Sequence, residues 1–153
     1  MKKAILFIAL AVTVAACSNN KNDSTSNAKA AVNLVEKYLA LKDALVATDA
    51  ATAKAAASDF IKVNTNDKLD AALKTIAATD DVAAQRVAFE ALSINMYSLV
   101  KTSGANVTLY KQYCPMAFSG KGAYWLAMEE EVNNPYYGDK MLHCGSVQET
   151  IAQ

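Results

Sequence analysis

Apolar residues recur three and four positions apart through the first two thirds of the chain, which is the period of a helix. Ala31, Leu34, Val35, Tyr38, Leu41 and Leu45 fall on one face of a first helix. A second, over 50–63, turns Ala53, Ala56, Ala57, Phe60 and Ile61 inward. Asn64, Thr65, Asn66 and Asp67 read as a turn and cap before a short third helix over 68–77 that carries Leu69, Leu73 and Ile76. Thr79, Asp80 and Asp81 cap a fourth, in which Val82, Phe89, Leu92, Met96 and Leu99 form a heptad-like stripe ending near Gly104. No proline interrupts 28–102. Four such segments with short connections predict an all-α fold, an antiparallel four-helix bundle. Its alanine-rich faces allow close helix approach and carry no polar constellation that suggests chemistry, so this half reads as scaffold.

The character changes after Gly104. Four of the five glycines and both prolines lie near or beyond Ser119, and seven of the twelve aromatic residues fall here too: Tyr110, Tyr113, Phe118, Tyr124, Trp125, Tyr136 and Tyr137. Glycines permit special backbone dihedrals, and aromatic rings cover irregular loops with large apolar area. The expectation is an irregular, aromatic-rich C-terminal segment packed on the bundle, making 28–153 a single helical domain.

The beginning of the chain has a different pattern. Lys2 and Lys3 precede a short apolar run from Ala4 to Val12, which is shorter than the roughly 20 residues needed to span a bilayer. Small residues follow at Val14, Ala15 and Ala16, immediately before Cys17. This resembles the bacterial lipobox and implies a signal peptide over 1–16, lipidation of Cys17, and a membrane anchor. Residues 18–27 are small and polar, and read together with Cys17 as a flexible tether. The expected location is the cell envelope, on the periplasmic side or in the outer membrane.

Charge then narrows the partners. Removing 1–16 takes two of the 15 basic residues and none of the 15 acidic ones, leaving 13 against 15. Arg86 is the only arginine. Such a surface has no footprint for nucleic acid.

With Cys17 committed to lipid, Cys114 and Cys144 remain. In an oxidising compartment two such thiols pair as a disulfide, and otherwise they bind soft metal or do redox chemistry. Cys114 and Met116 lie two residues apart in a turn, while 139–144 reads as a short helix, capped by Asp139 and stopped by Gly145, with Met141 and Cys144 on one face. If the segments meet, Cys114, Met116, Met141 and Cys144 make a cluster of four sulfurs, a donor set that suits Cu(I). Zinc calls for more thiolate or imidazole, and Glu129, Glu130 and Glu131 read as a solvated helix face rather than a site for hard ions. His143 would point roughly 100° away from Cys144 on a helix, and no third group orients its ring. Paired carboxylates and phosphate loops are missing, so no enzyme is expected. Residues alone leave both readings open, the disulfide and the metal site.

The runs Tyr113-Cys114-Pro115-Met116-Ala117, Gly122-Ala123-Tyr124-Trp125-Leu126, Asn134-Pro135-Tyr136-Tyr137-Gly138, Met141-Leu142 and Cys144-Gly145 resemble, in this order, domain of unknown function 3347. This small helical domain occurs in lipoproteins and fused to the periplasmic adaptors of CusB-type heavy-metal efflux pumps. The likeness spans roughly 28–151, and its specific part is 113–145. The Cys-Pro-Met element is also similar to that of small heavy-metal-binding domains in those adaptors. The resemblance implies binding of Cu(I) or Ag(I) at Cys114, Met116, Met141 and Cys144, for buffering, delivery or efflux, with an efflux adaptor or another envelope protein as partner. The alternative is a disulfide-stapled helical interaction module that holds no metal.

Overall fold

The computed structural model describes residues 21–152, with side chains from Asn33 onward; the signal segment, Cys17 and residues 18–20 lie outside the described residues. Four helices come first: α1 (Lys21–Val46), α2 (Ala50–Val63), α3 (Asp67–Ala77) and α4 (Val82–Ser103). Helix α1 starts inside the expected tether, so residues 21–27 are helical. Two of the caps fall where the sequence marks them, and Asp49 is a third. Asp49 accepts the Thr52 N–H, Asn66 that of Lys68 and Asp81 that of Ala83, and each satisfies a donor that a helix start leaves free. Gly104, at φ 75°, ends α4.

Connections of three or four residues fold each helix back against the one before, and α4 returns to pack on α1. The apolar stripes meet in the middle: Leu34, Val35, Tyr38, Leu41, Leu45, Phe60, Leu69, Leu73, Ile76, Phe89, Leu92 and Met96 are all buried. Among the described residues no helix is long and apolar enough to cross a membrane.

The fold is not all-α. The segment after Gly104 builds a three-stranded antiparallel sheet from β1 (Leu109–Cys114), β2 (Ala123–Ala127) and β3 (Ser146–Ile151), in the order β2-β1-β3. Tyrosine, tryptophan, valine and isoleucine favour a pleated, half-buried surface. Their alternation is plain only in β3, where Val147, Glu149 and Ile151 are half-buried and Ser146, Gln148 and Thr150 exposed. In β1 a register shift between Lys111 and Gln112 breaks the period, and β2 buries four of its five residues.

Two tyrosines satisfy the free edge of β2, one from the bundle and one from the loop before Gly138. Tyr38 on α1, fully buried, accepts the Leu126 N–H at 3.0 Å and bonds to Ser93 Oγ at 2.8 Å. Tyr136 donates its hydroxyl to the Tyr124 carbonyl. An edge strand otherwise presents unpaired backbone groups. Burial raises the pKa of both phenols, so they stay protonated. Tyr38→Phe removes the acceptor and leaves the buried Leu126 N–H orphaned. Chemical denaturation should show a loss of about 1 to 3 kcal/mol; an unchanged midpoint would mean that water reaches this edge.

Candidate functional site

Cys114 ends the central strand, and Cys144 lies two residues before β3. Because β1 and β3 run antiparallel with Tyr113 opposite Ser146, the sheet register carries Cys144 to the end of β1. The two sulfurs stand 3.2 Å apart as free thiols, Cys114 fully buried and Cys144 partly so. Gly145 makes this approach feasible, since a Cβ there would lie 2.8 Å from the Tyr113 carbonyl oxygen and 3.1 Å from the Trp125 ring.

Asn134, wholly buried, holds the loop that presents Cys144. Its Nδ2 donates to the Cys144 carbonyl and its Oδ1 accepts the Tyr136 N–H, both at 2.8 Å. Its own N–H donates to the Leu142 carbonyl at 2.8 Å, and its carbonyl accepts the Gly138 N–H at 2.9 Å. One side chain thus fixes both flanks of the segment from Tyr136 to Cys144.

The short helix expected over 139–144 is replaced by a single 3-10 turn at Gly138–Lys140. Met141 leaves it at φ −148°, ψ 52°, so Met141 and Cys144 do not share a helix face. They remain linked through the Cys144 N–H, which donates to the Met141 carbonyl at 3.0 Å. The helix fails because Asn134 takes the Leu142 carbonyl, and Gly138 and Gly145 both take positive φ. Met116 follows Pro115 in the turn after β1. Its backbone N–H bonds to the Cys144 sulfur, its carbonyl accepts the Tyr137 hydroxyl at 2.7 Å, and its side chain is 52% exposed. The structure therefore brings Cys114 and Cys144 together, sets the backbone of the half-exposed Met116 beside them, and ties Met141 to the same loop by its backbone. His143 is exposed and its Nδ1 meets the Val132 carbonyl at 2.8 Å, which keeps it occupied with the loop.

The Cys144 thiol is pushed above its ordinary pKa, chiefly by its hydrogen bond to Cys114 and then by desolvation. The Cys144 thiol is therefore protonated at neutral pH, and an ion or oxidant that engages it must displace that proton. Among the described residues no group of three or more His, Cys, Asp and Glu side chains could hold a metal ion. The donor set here is sulfur alone, which fits a soft ion and not a hard one.

The acidic run is not a helix face either. Residues 128–131 form bends, and Gln112 Nε2 donates to the carbonyls of Glu129, Glu130 and Glu131 at 2.9, 3.3 and 3.1 Å. Lys42, buried on α1, pairs with the Glu129 carboxylate and, at 2.8 Å, with Asp43. Polar groups buried within the bundle and sheet, Lys42, Arg86 and Gln112 among them, escape sequence reasoning because polarity alone assigns them to solvent.

No curated protein and no solved structure matches the chain. A family model described as "Protein of unknown function (DUF3347)" matches residues 34–108. The match covers the bundle and ends before Cys114, short of the 113–145 stretch that carries the resemblance read from the sequence. Over that bundle segment, 75 of the 153 residues, the chain is similar to the DUF3347 family.

Proposed function

We propose that the chain is a lipid-anchored envelope protein that takes a soft monovalent ion, Cu(I) or Ag(I), as cargo between Cys114 and Cys144, for buffering or for handover to an efflux partner. The observation that carries this reading is the contact of two thiols at the end of β1 with the exposed Met116 thioether in the same turn. Two thiolates hold the ion, and a weak thioether at the surface gives it a route in and out. The motif ending in Cys17 supports the anchor, with residues 1–16 removed.

One observation favours a second reading, a disulfide-stapled interaction module. Two thiolates sharing one ion at about 2.3 Å and a tetrahedral angle stand about 3.7 Å apart. The observed 3.2 Å is closer than that, and the sulfurs need only approach further to bond. The two states exclude each other, so the redox state of the pair selects between them.

Titrating the reduced, anaerobic protein with Cu(I) against a chromogenic chelator tests the first reading. About one ion per chain is expected, and none with Cys114→Ser. Because burial and the Cys114 contact keep the Cys144 thiol protonated, binding there releases its proton, so affinity should rise with pH by at least about tenfold per unit between pH 6 and 8. Absence of uptake by protein with two titratable thiols overturns the proposal. Thiol counting on protein taken straight from the envelope decides the second reading, which requires none free.

A further inference from the structure

A cavity of about 340 Å³ opens on the side of α4 that faces the 116–140 loops, lined in part by Arg86, Phe118, Ser119, Tyr136, Tyr137 and Lys140. Arg86 is the only arginine in the chain and is 9% exposed. Its Nε donates to the Pro135 carbonyl at 2.8 Å, and its Nη2 donates to the Leu45 carbonyl at 2.9 Å and to Thr48 Oγ1 at 3.1 Å. All three acceptors are neutral. Among the described residues Nη1 has no acceptor, and no carboxylate pairs with the guanidinium. Asp139 lies near enough to favour the charge, but its Oδ1 is 3.3 Å from the Thr48 hydroxyl. Lys140 adds a second cation to the lining and forms no ion pair among the described residues.

A buried charge is retained at a cost unless it is paired. Here the cost is met only in part, by neutral carbonyls, one of them in the last turn of α1. The lining is also aromatic, and part of it is held in an unusual shape. Phe118 (φ 52°, ψ 53°) and Ser119 (φ 60°, ψ 36°) occupy the left-handed region in succession, which a bulky aromatic residue rarely does. The Phe118 ring meets the Tyr136 ring edge-on at 5.3 Å, so the strain is held by packing around this cavity. A guanidinium whose hydrogen-bond acceptors are all neutral shares this lining with Lys140, unpaired among the described residues. The nearby carboxylate, Asp139, is turned to Thr48. Together with the aromatic and aliphatic side chains, the two cations make a site for a negative group on an apolar body.

We propose that this cavity binds a small carboxylate with an apolar body, the carboxylate seated against Arg86 and Lys140 and the body against Phe118 and Tyr136. Its volume lies at the lower end of the range for small-molecule sites, which suits a ligand of the size of a single aromatic acid. The site is separate from the thiol pair, and its occupancy does not require an ion there.

Titrating the reduced, full-length protein with benzoate, followed by amide NMR shifts, tests this. Shifts should centre on Ser119, Tyr137 and Lys140, and benzoate should bind at least about tenfold more tightly than the neutral isostere benzyl alcohol, the worth of one charged hydrogen bond. Lys140→Met, at an exposed position, should weaken benzoate about two- to fivefold without unfolding the chain. Arg86→Lys keeps the charge and loses the planar fork, and should weaken it further. Equal binding of benzyl alcohol, equal binding of inorganic phosphate, or shifts that leave these residues untouched would each overturn the proposal.

Discussion

Oxidising the reduced protein is expected to raise its unfolding free energy by about 3 to 4 kcal/mol. The bridge would join residues 30 apart, and closing a loop of that length removes conformational freedom from the unfolded chain. Native strain should subtract little, because the fold already holds the two sulfurs in contact through the β1–β3 register and the Asn134 bonds. Denaturant unfolding with and without reductant measures the difference. A Cys114→Ala/Cys144→Ala variant should show no response to reductant. Equal stability of the oxidised and reduced wild-type chains would mean that bridging distorts the sheet end by as much as it stabilises. Cu(I) bound to the reduced pair should also stabilise, since an ion held only by the folded state shifts the equilibrium by mass action. Stabilisation by Cu(I) under anaerobic conditions, lost in the double variant, would separate the ion from the bridge.

The bundle is legible in the chain because its rules are local. Each helix repeats its apolar residues every three or four positions, and Asn66, Asp81 and Gly104 mark ends that the structure keeps. The sheet is not legible, because its strands are set by pairing. Gln112 is wholly buried and Lys111 beside it is half-buried, so the bulge turns a pattern of alternation into one that looks irregular. In β2, Trp125, Leu126 and Ala127 are buried in succession, because one face packs on α4 and the other is covered by its surroundings. The meeting of Cys114 and Cys144 is half legible. Their even number suggests a pair, but their contact depends on the Tyr113–Ser146 register, which no local pattern encodes. Lys42 and Arg86 show the opposite failure. On a helix each reads as solvent-facing, and only the loops that fold over them, 128–131 and 134–140, bury them.

Gly138→Ala is expected to cost about 3 to 5 kcal/mol. Gly138 has φ +59°, where an L residue loses roughly 1 to 2 kcal/mol. A Cβ there would also stand 2.1 Å from Thr48 Oγ1, 2.7 Å from Arg86 Nη2 and 3.0 Å from the Val46 carbonyl oxygen. None of the three can move freely. The Val46 oxygen is backbone, and Thr48 and Arg86 hold each other at 3.1 Å while Arg86 also holds the Leu45 carbonyl. Displacing the guanidinium breaks bonds from a charged donor, at about 1.5 to 3 kcal/mol each. Gly120→Ala supplies the control. Gly120 sits at φ +89° with nothing within 4 Å of the added carbon, so it reports the backbone cost alone. Urea denaturation of the two variants should therefore differ by about 2 kcal/mol or more. Similar losses would mean that the loop at Gly138 can lift away from Arg86 cheaply. That outcome would also weaken the case for a fixed guanidinium in the cavity, since the same contact that penalises a methyl group keeps Arg86 in place. A large difference would instead identify the turn at Gly138 as the part of the loop that closes over the end of α1 and holds the chain's one arginine against it.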